Sequence, residues 1–249
     1  MDNSLLVSLS QQLAAYRSMD VIANNLANVS TPGFKRESAK FEEYVQQVAP
    51  SEGETGMQSV SFVKDAGVSR DLSQGNIQST GAPFDMAING NGYFVVQTPA
   101  GLRYTRDGHF TLDASGQIVN SNGYALQGDS GAITITPTDM NVQIGRDGTI
   151  SSTVNGLSSQ IGKVQLADFP NDATLVQQGG NLYSTSQTST TAANATIGQG
   201  MLESSNVQPV MEISHMLEVM RAYQATASLN QSQEDLTRQA IDRLGQMPN

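Results

Sequence analysis

A chain of 249 residues can bury a sizeable core in one large domain or two modest ones, yet only 38% of it is hydrophobic, 6% aromatic and none of it Trp. A formal net charge of −10, with no basic segment anywhere, argues against nucleic acid or anionic lipid as a partner. The absence of Cys removes disulfides, thiolate metal sites and Cys nucleophiles together.

The first thirty residues lack the basic, apolar and small-residue regions of a cleaved signal peptide, and no run approaches the ~20 apolar residues of a membrane span. The protein is therefore expected to be soluble when made and not inserted in a membrane. Leu5, Leu9, Gln12, Tyr16, Met19, Ala23 and Leu26 recur at alternating steps of four and three, which predicts a helix over Ser4–Asn28 with one face built to meet another helix. Such a helix is about 37 Å long at 1.5 Å per residue. Thr31-Pro32-Gly33 stops it, because Pro32 disfavours helical geometry at Thr31 and Gly33 permits a turn.

Residues 36–75 are expected to form a connecting arm. Phe41, Tyr44, Val45 and Val48 have the spacing of a short continuing helix, Ser51–Gly56 is polar, and Val60–Val63 reads as extended. From about Asn76 to about Gly200 the period changes to two: Phe94, Val96 and Thr98 alternate with Tyr93, Val95 and Gln97, and Phe110 and Leu112 lead to Ile118 and Val119. Asn91-Gly92, Asp107-Gly108, Asn122-Gly123, Asp147-Gly148 and Asn155-Gly156 are hairpin-turn dipeptides, so this stretch predicts an all-β sandwich or irregular barrel. Leu182–Gly200, rich in Ser, Thr and Ala, reads as a return linker.

The C-terminal segment, 201–249, repeats the helical design. Val210, Ile213, Leu217, Met220, Gln224 and Ala227 follow three-four spacing, Met216 and Tyr223 widen the face, and the helix is expected to end near Gly245. Ser205 or Asn206 is the expected N-cap, with Pro209 in the first turn and Glu212 near the positive helix end. The resulting fold class is α+β: terminal helices forming a coiled-coil-like pair, with an all-β domain inserted between them.

Strings with a look of chemistry are few. Gly128-Asp129-Ser130-Gly131 resembles the nucleophile loop of trypsin-like proteases, but a triad also needs His109 oriented by a buried carboxylate and Ser130 beside its ring, so a hairpin turn is the better reading. His109 and His215 are the two histidines and share no ligand spacing, so neither metal nor cofactor is expected. Asn89-Gly90-Asn91-Gly92 lacks the third Gly of a dinucleotide loop. Met211, Met216 and Met220 fit either a core stripe or an adaptable surface between subunits.

The string Ala23-Asn24-Asn25-Leu26-Ala27-Asn28-Val29-Ser30-Thr31-Pro32-Gly33-Phe34-Lys35 resembles the N-terminal signature of the bacterial flagellar rod and hook axial protein family. Glu203-Ser204-Ser205-Asn206-Val207, followed by Val210, Glu212, Met216 and Arg221-Ala222-Tyr223, resembles its C-terminal signature. Gly75-Asn76-Ile77, Thr80-Gly81, Asp85–Gly90, Gly92-Tyr93-Phe94 and Tyr104–Gly108 look like its shared β domain. The length, the start Met1–Leu5 and the stretch Val60–Asp71 are similar to the proximal-rod members. The distal-rod members, which usually carry an aromatic start and a longer insert, are the close alternative.

The resemblance implies a non-enzymatic structural subunit whose termini, 1–35 and 201–249, pack into an inner tube around an export channel, with 76–200 as the outer domain. It implies assembly with copies of itself and with other rod proteins, proximal subunits below and the distal-rod protein above. It also implies transit through the flagellar type III export apparatus and a place in the periplasm-spanning basal body, with no small-molecule substrate. On the motifs, the assembly residues are Leu9, Tyr16, Asn24, Asn25, Leu26, Asn28, Thr31, Gly33, Phe34, Lys35, Ser205, Asn206, Val207, Met216, Met220, Arg221 and Tyr223. The competing expectation from another class is a hydrolase or carbohydrate-binding β domain flanked by helical oligomerisation segments.

Overall fold

The computed structural model of the chain describes residues 2–48, 58–137, 139–154 and 157–245. A helix stands at each end, α1 (Asp2–Ala27) and α2 (Pro209–Gly245), and the chain between them is β-rich. The expected turn at Asn155-Gly156, the polar stretch Ser51–Gly56 and the side chain of Leu5 lie outside the described residues. The chain divides into two compact units.

The first unit holds α1, α2 and an antiparallel ribbon of β1 (Glu37–Val48) and β2 (Gln58–Arg70). The ribbon corrects the helical reading of Phe41, Tyr44, Val45 and Val48. Steps of three and four do not separate a helix face from apolar residues scattered over both faces of a strand, and pairing with β2 decides. A register shift between Lys40 and Phe41 bends the ribbon, and Arg70 Nε closes its base on Glu37 Oε1 at 3.0 Å.

α1 packs on both strands and on α2. Its covered side follows the expected stripe only in part, since Gln12, Met19 and Leu26 are half-buried. Val7, Ser10 and Ala14 are half-buried and Val21 and Asn25 buried, whereas Leu9, Tyr16 and Ala23 are exposed. Small residues account for the rotation: Ser10 is short enough for the strand backbone to approach, and its Oγ accepts from Val63 N at 3.3 Å. On α2 the covered side runs through Glu212, His215, Met216 and Val219, and the expected stripe at Val210, Ile213, Leu217 and Met220 faces out.

The second unit comprises residues 28–36 and 71–207. Its strands are β3 (Ile77–Ser79), β4 (Met86–Asn89), β5 (Tyr93–Thr98), β6 (Gly101–Thr105), β7 (Phe110–Leu112), β8 (Ile118–Asn120), β9 (Ala125–Gly128) and β10 (Gly131–Ala132), then β11 (Met140–Ile144), β12 (Thr149–Val154), β13 (Leu157–Lys163), β14 (Leu166–Asp168), β15 (Val176–Gln177), β16 (Tyr183–Ser184), β17 (Thr190–Thr191), β18 (Thr196–Gln199) and β19 (Met201–Glu203). The main antiparallel sheet runs β15-β16-β6-β5-β9-β8-β7, and β11, β12 and β13 form a second sheet.

Strand β5 is central because alternation buries it on both faces. Phe94 and Val96 join Met86, Ile88, Phe110, Ile118 and Leu126, while Tyr93 and Val95 join Phe169, Leu175 and Tyr183. Asn122-Gly123 and Asp147-Gly148 make the β8–β9 and β11–β12 turns, as their composition predicts. Leu182–Gly200 is not a linker: it carries β16, β17 and β18, and β18 pairs with β4. Its Ser and Thr satisfy strand ladders through the backbone, which composition alone does not reveal.

Candidate assembly surfaces and the junction behind them

Asn25 lies at the end of α1, fully buried. Its Oδ1 accepts from Glu37 N at 2.9 Å and its Nδ2 donates to Glu37 O at 2.7 Å, so the side-chain amide pairs with the first residue of β1 as a neighbouring strand would. The same Nδ2 reaches Glu212 Oε2 at 3.1 Å in the first turn of α2. One amide thus fixes where α1 ends, where β1 begins and where α2 starts.

In the second unit the last residue of the N-terminal string, Lys35, and the first of the C-terminal string, Glu203, meet in a buried ionic knot. Lys35 Nζ lies 2.6 Å from Glu203 Oε1, with side chains 3% and 1% exposed. The ammonium also donates to Ser73 O at 2.8 Å. Glu203 Oε1 accepts from Gly75 N at 3.0 Å, and Oε2 faces Arg106 Nη1 at 3.3 Å. Arg106 donates to Gly90 O at 2.8 Å and lies over the Tyr93 ring at 5.3 Å. Burial lowers the Lys35 pKa, against the opposing pull of Glu203. Burial likewise raises Tyr93 and Asp107, whereas hydrogen bonds from Ser73 hold Asp71 down.

Gly33 turns the chain into this knot with φ +66°, and its N donates to Glu203 O at 2.7 Å. A Cβ there would stand 2.4 Å from the Arg106 carbonyl oxygen, so no other residue fits. Asn206, expected as a helix cap, does different work: its Oδ1 accepts from Arg36 N at 2.7 Å and its Nδ2 donates to Asp71 O at 2.9 Å. Helix α2 begins after it, with Gln208 O accepting from Glu212 N. Ser205 Oγ accepts from Val207 N at 3.2 Å.

The expected assembly residues therefore fall into two groups. Asn25, Gly33, Phe34, Lys35 and Val207 are buried within the chain, and Asn206, Ser205, Asn28 and Thr31 are half-buried, with Thr31 donating to Asn28 Oδ1 at 3.1 Å. Leu9, Tyr16, Asn24, Met220, Arg221 and Tyr223 are exposed on helix surfaces, and Leu26 and Met216 are half-buried. Sequence reasoning missed Leu6 and Leu13 as members of the outer face of α1, although Leu13 is 62% exposed. It also missed Arg106 and Glu203 as partners, since nothing in spacing links residues so far apart.

Among sites for chemistry, His109 Nδ1 does lie 2.8 Å from the buried Asp85 carboxylate. The other Asp85 oxygen accepts from Thr80 Oγ1 at 2.6 Å, while Ser130 stands exposed in the β9–β10 turn. The aromatic cluster of Tyr93, Tyr104, Phe169 and Tyr183 packs edge-on inside the sheet unit, with Tyr93, Phe169 and Tyr183 buried. It fills core and presents no stacking platform. No described helix is long and apolar enough to cross a membrane.

Comparison with known proteins decides the family. Residues 5–35 match the flagella basal body rod protein family, 87–152 the flagellar hook protein FlgE/F/G D1 domain, and 199–243 the flagellar basal body rod FlgEFG protein C-terminal family. Flagellar basal-body rod protein FlgF of Caulobacter vibrioides is 40% identical over 99% of this chain and 100% of its own. The chain belongs to the flagellar basal-body rod FlgE/F/G family. Flagellar basal-body rod protein FlgG of Buchnera aphidicola subsp. Schizaphis graminum is 38% identical over 94% of this chain and 96% of its own. FlgF of Mesorhizobium japonicum is 33% identical over 98% and 99%. As a member of the rod family the chain is a structural subunit of the flagellar basal body, and the FlgG alternative is not better supported than FlgF.

For a rod protein the two groups of residues make physical sense. The buried set fixes the entry and exit of each helix, and the exposed set leaves apolar faces on both helices uncovered by the chain's own fold.

Proposed function

We propose that the outward faces of α1 and α2 are the polymerising surfaces of a proximal-rod subunit. The observation that carries this reading is that much of both stripes read from the sequence stays uncovered in the single chain: Leu9 and Tyr16 are exposed on α1, where Met19 and Leu26 are half-buried, and Val210, Leu217, Met220 and Tyr223 are exposed on α2. Each helix spends its second seam internally and keeps the richer one for a neighbour. Copies of this chain and other rod proteins, proximal subunits below and the distal-rod protein above, are the neighbours. Heterologous contacts between different faces generate a helical tube rather than a closed ring, as a torque-bearing shaft around an export channel requires.

The chain reaches that position through the flagellar type III export apparatus and stands in the periplasm. It carries no catalytic group, binds no cofactor and takes no small-molecule substrate. Proximal rather than distal placement follows the length, the absence of Trp and the missing insert after the first helix. The test is incorporation of Leu9→Asp and Leu217→Asp chains into isolated basal bodies, together with labelling of the natural chain along the rod axis. Normal incorporation of both variants refutes the helical surfaces; a label at the distal end refutes the proximal placement.

A further inference from the structure

The exposed side of each terminal helix is a seam with one charge near its centre. On α1, Leu9, Leu13, Tyr16, Asp20, Ala23 and Ala27 recur at alternating steps of four and three, and all are exposed. On α2 the same steps run through Val210, Ser214, Leu217, Arg221, Gln224 and Ser228, again all exposed. Asp20 thus stands among the apolar and small residues of one seam, and Arg221 holds the corresponding place on the other.

The charges of these helices are few enough to single the two out. Between Leu6 and Ala27, α1 carries Arg17 and Asp20 alone, and Arg17 is held by Asp65 at 3.2 Å. Between Pro209 and Gln233, Arg221 is the one Lys or Arg of α2. Farther along, Arg238 lies 3.9 Å from Glu234 and Arg243 stands in the last turn. Lys40 and Lys64 belong to the ribbon, where Lys64 lies opposite Glu42. Of the acids beside Arg221, Glu212 is buried against Asn25, and Glu218 flanks the seam a turn earlier. Among the described residues neither Asp20 nor Arg221 has an ion-pair partner in its own chain.

A neighbour that covers the α1 seam takes Asp20 out of water between Tyr16 and Ala23, which is costly unless a cation meets it. Two α1 seams face to face oppose carboxylate to carboxylate, and two α2 seams oppose guanidinium to guanidinium. Only α1 against α2 matches the signs. Asn25 near the end of α1 meets Glu212 in the first turn of α2, so the packed helices run antiparallel, and copies aligned in one direction keep that sense between chains.

We propose that Asp20 of one copy pairs with Arg221 of the next and fixes the register of α1 on α2 between copies. The guanidinium fork offers a carboxylate two parallel donors, so the pair sets position as well as sign. With Asp20 opposite Arg221, antiparallel helices bring Ala27 opposite Ser214, both about two turns away. The two seams are different surfaces of one chain, so the contact is heterologous and repeats along an open assembly. This rests on the reading that the outward helical faces polymerise.

Full-length Asp20→Arg and Arg221→Asp chains, each supplied in place of the natural one, are expected to reach the basal body at least tenfold less, and the chain carrying both changes to recover to within about threefold. The natural chain has no Cys, so single cysteines report the register without background. Ala27→Cys and Ser214→Cys chains are co-expressed and isolated basal bodies oxidised. A mixed disulfide dimer is expected, absent when either variant is present alone and absent when Ser228→Cys replaces Ser214→Cys. Normal incorporation of either single charge reversal, no gain from combining them, or basal bodies that hold the Ala27→Cys and Ser214→Cys chains without a mixed dimer overturns the pairing. The cysteine pair alters no charge, so it decides even where a charge reversal fails to fold. Failure of the pairing alone leaves the Leu9→Asp and Leu217→Asp chains excluded from the rod, whereas failure of the helical reading shows as their normal incorporation.

Discussion

Lys35 and Glu203 form an ion pair at 2.6 Å with both side chains almost fully buried, although 168 positions separate them in the sequence. A buried carboxylate between two cations is costly to unbalance in either direction. Glu203→Gln leaves Lys35 and Arg106 facing each other without counter-charge and is expected to destabilise the β unit by about 3–5 kcal/mol. Lys35→Met leaves Glu203 with Arg106 and Gly75 N, and costs about 1–3 kcal/mol. Urea unfolding monitored within residues 71–207 ranks the two; equal losses contradict the pairing.

The pH dependence follows from the same knot. Burial holds the Lys35 amine below 10.5, so between its folded pKa and 10.5 the unfolded chain binds more protons and stability rises with pH. Burial holds Tyr93 above 10.0, so above pH 10 the unfolded chain loses that proton first and stability falls. Melting temperature against pH should therefore climb on the alkaline side and turn over near pH 10. Lys35→Met should flatten the climb and Tyr93→Phe the fall; a monotonic decline in the natural chain rules out the Lys35 contribution.

Gly33 and Gly123 provide a matched pair, both with positive φ, +66° and +79°. At Gly123 an added Cβ meets nothing within 4 Å, so Gly123→Ala pays only the backbone cost of about 1 kcal/mol. At Gly33 it meets the Arg106 carbonyl, and Gly33→Ala should cost about 3 kcal/mol or more, because overpacking adds to the same backbone term. Denaturant midpoints of the two variants check the difference, and similar midpoints refute the close approach.

Opposite sides of α1 should respond in opposite ways. Tyr16→Asp lies on the exposed side and should change monomer stability by no more than about 0.5 kcal/mol while abolishing incorporation into the rod. Val21→Asp places a charge in a buried position and should unfold the helical unit at the outset. Circular dichroism of the purified chains, set beside basal-body content, separates the two; a well-folded Val21→Asp chain contradicts the assigned inner seam.

Both helices were legible in the sequence because their apolar residues repeat over many turns: α1 spans Asp2–Ala27 against an expected Ser4–Asn28, and α2 ends at Gly245 as expected. Which seam faces inward was not legible. Leu9 and Tyr16 make the stronger hydrophobic pattern, but Ser10 and Ala14 are small enough to admit the ribbon. The ribbon itself was hidden by the helix-like steps among Phe41, Tyr44 and Val45. The knot was hidden for another reason: Lys35, Arg106 and Glu203 are ordinary surface residue types, and only long-range closure makes them core.

That closure sets a clock. Glu203, Asn206 and strands β18 and β19 all come late in the chain, yet they complete structures begun at Lys35, Arg36, β3 and β4. Until residue 207 has arrived, Lys35 and Arg106 lack the Glu203 carboxylate and β3 and β4 each have an open edge. A chain synthesised N-terminus first thus stays unfinished for most of its synthesis, and its last fifth acts as the latch that commits it to shape.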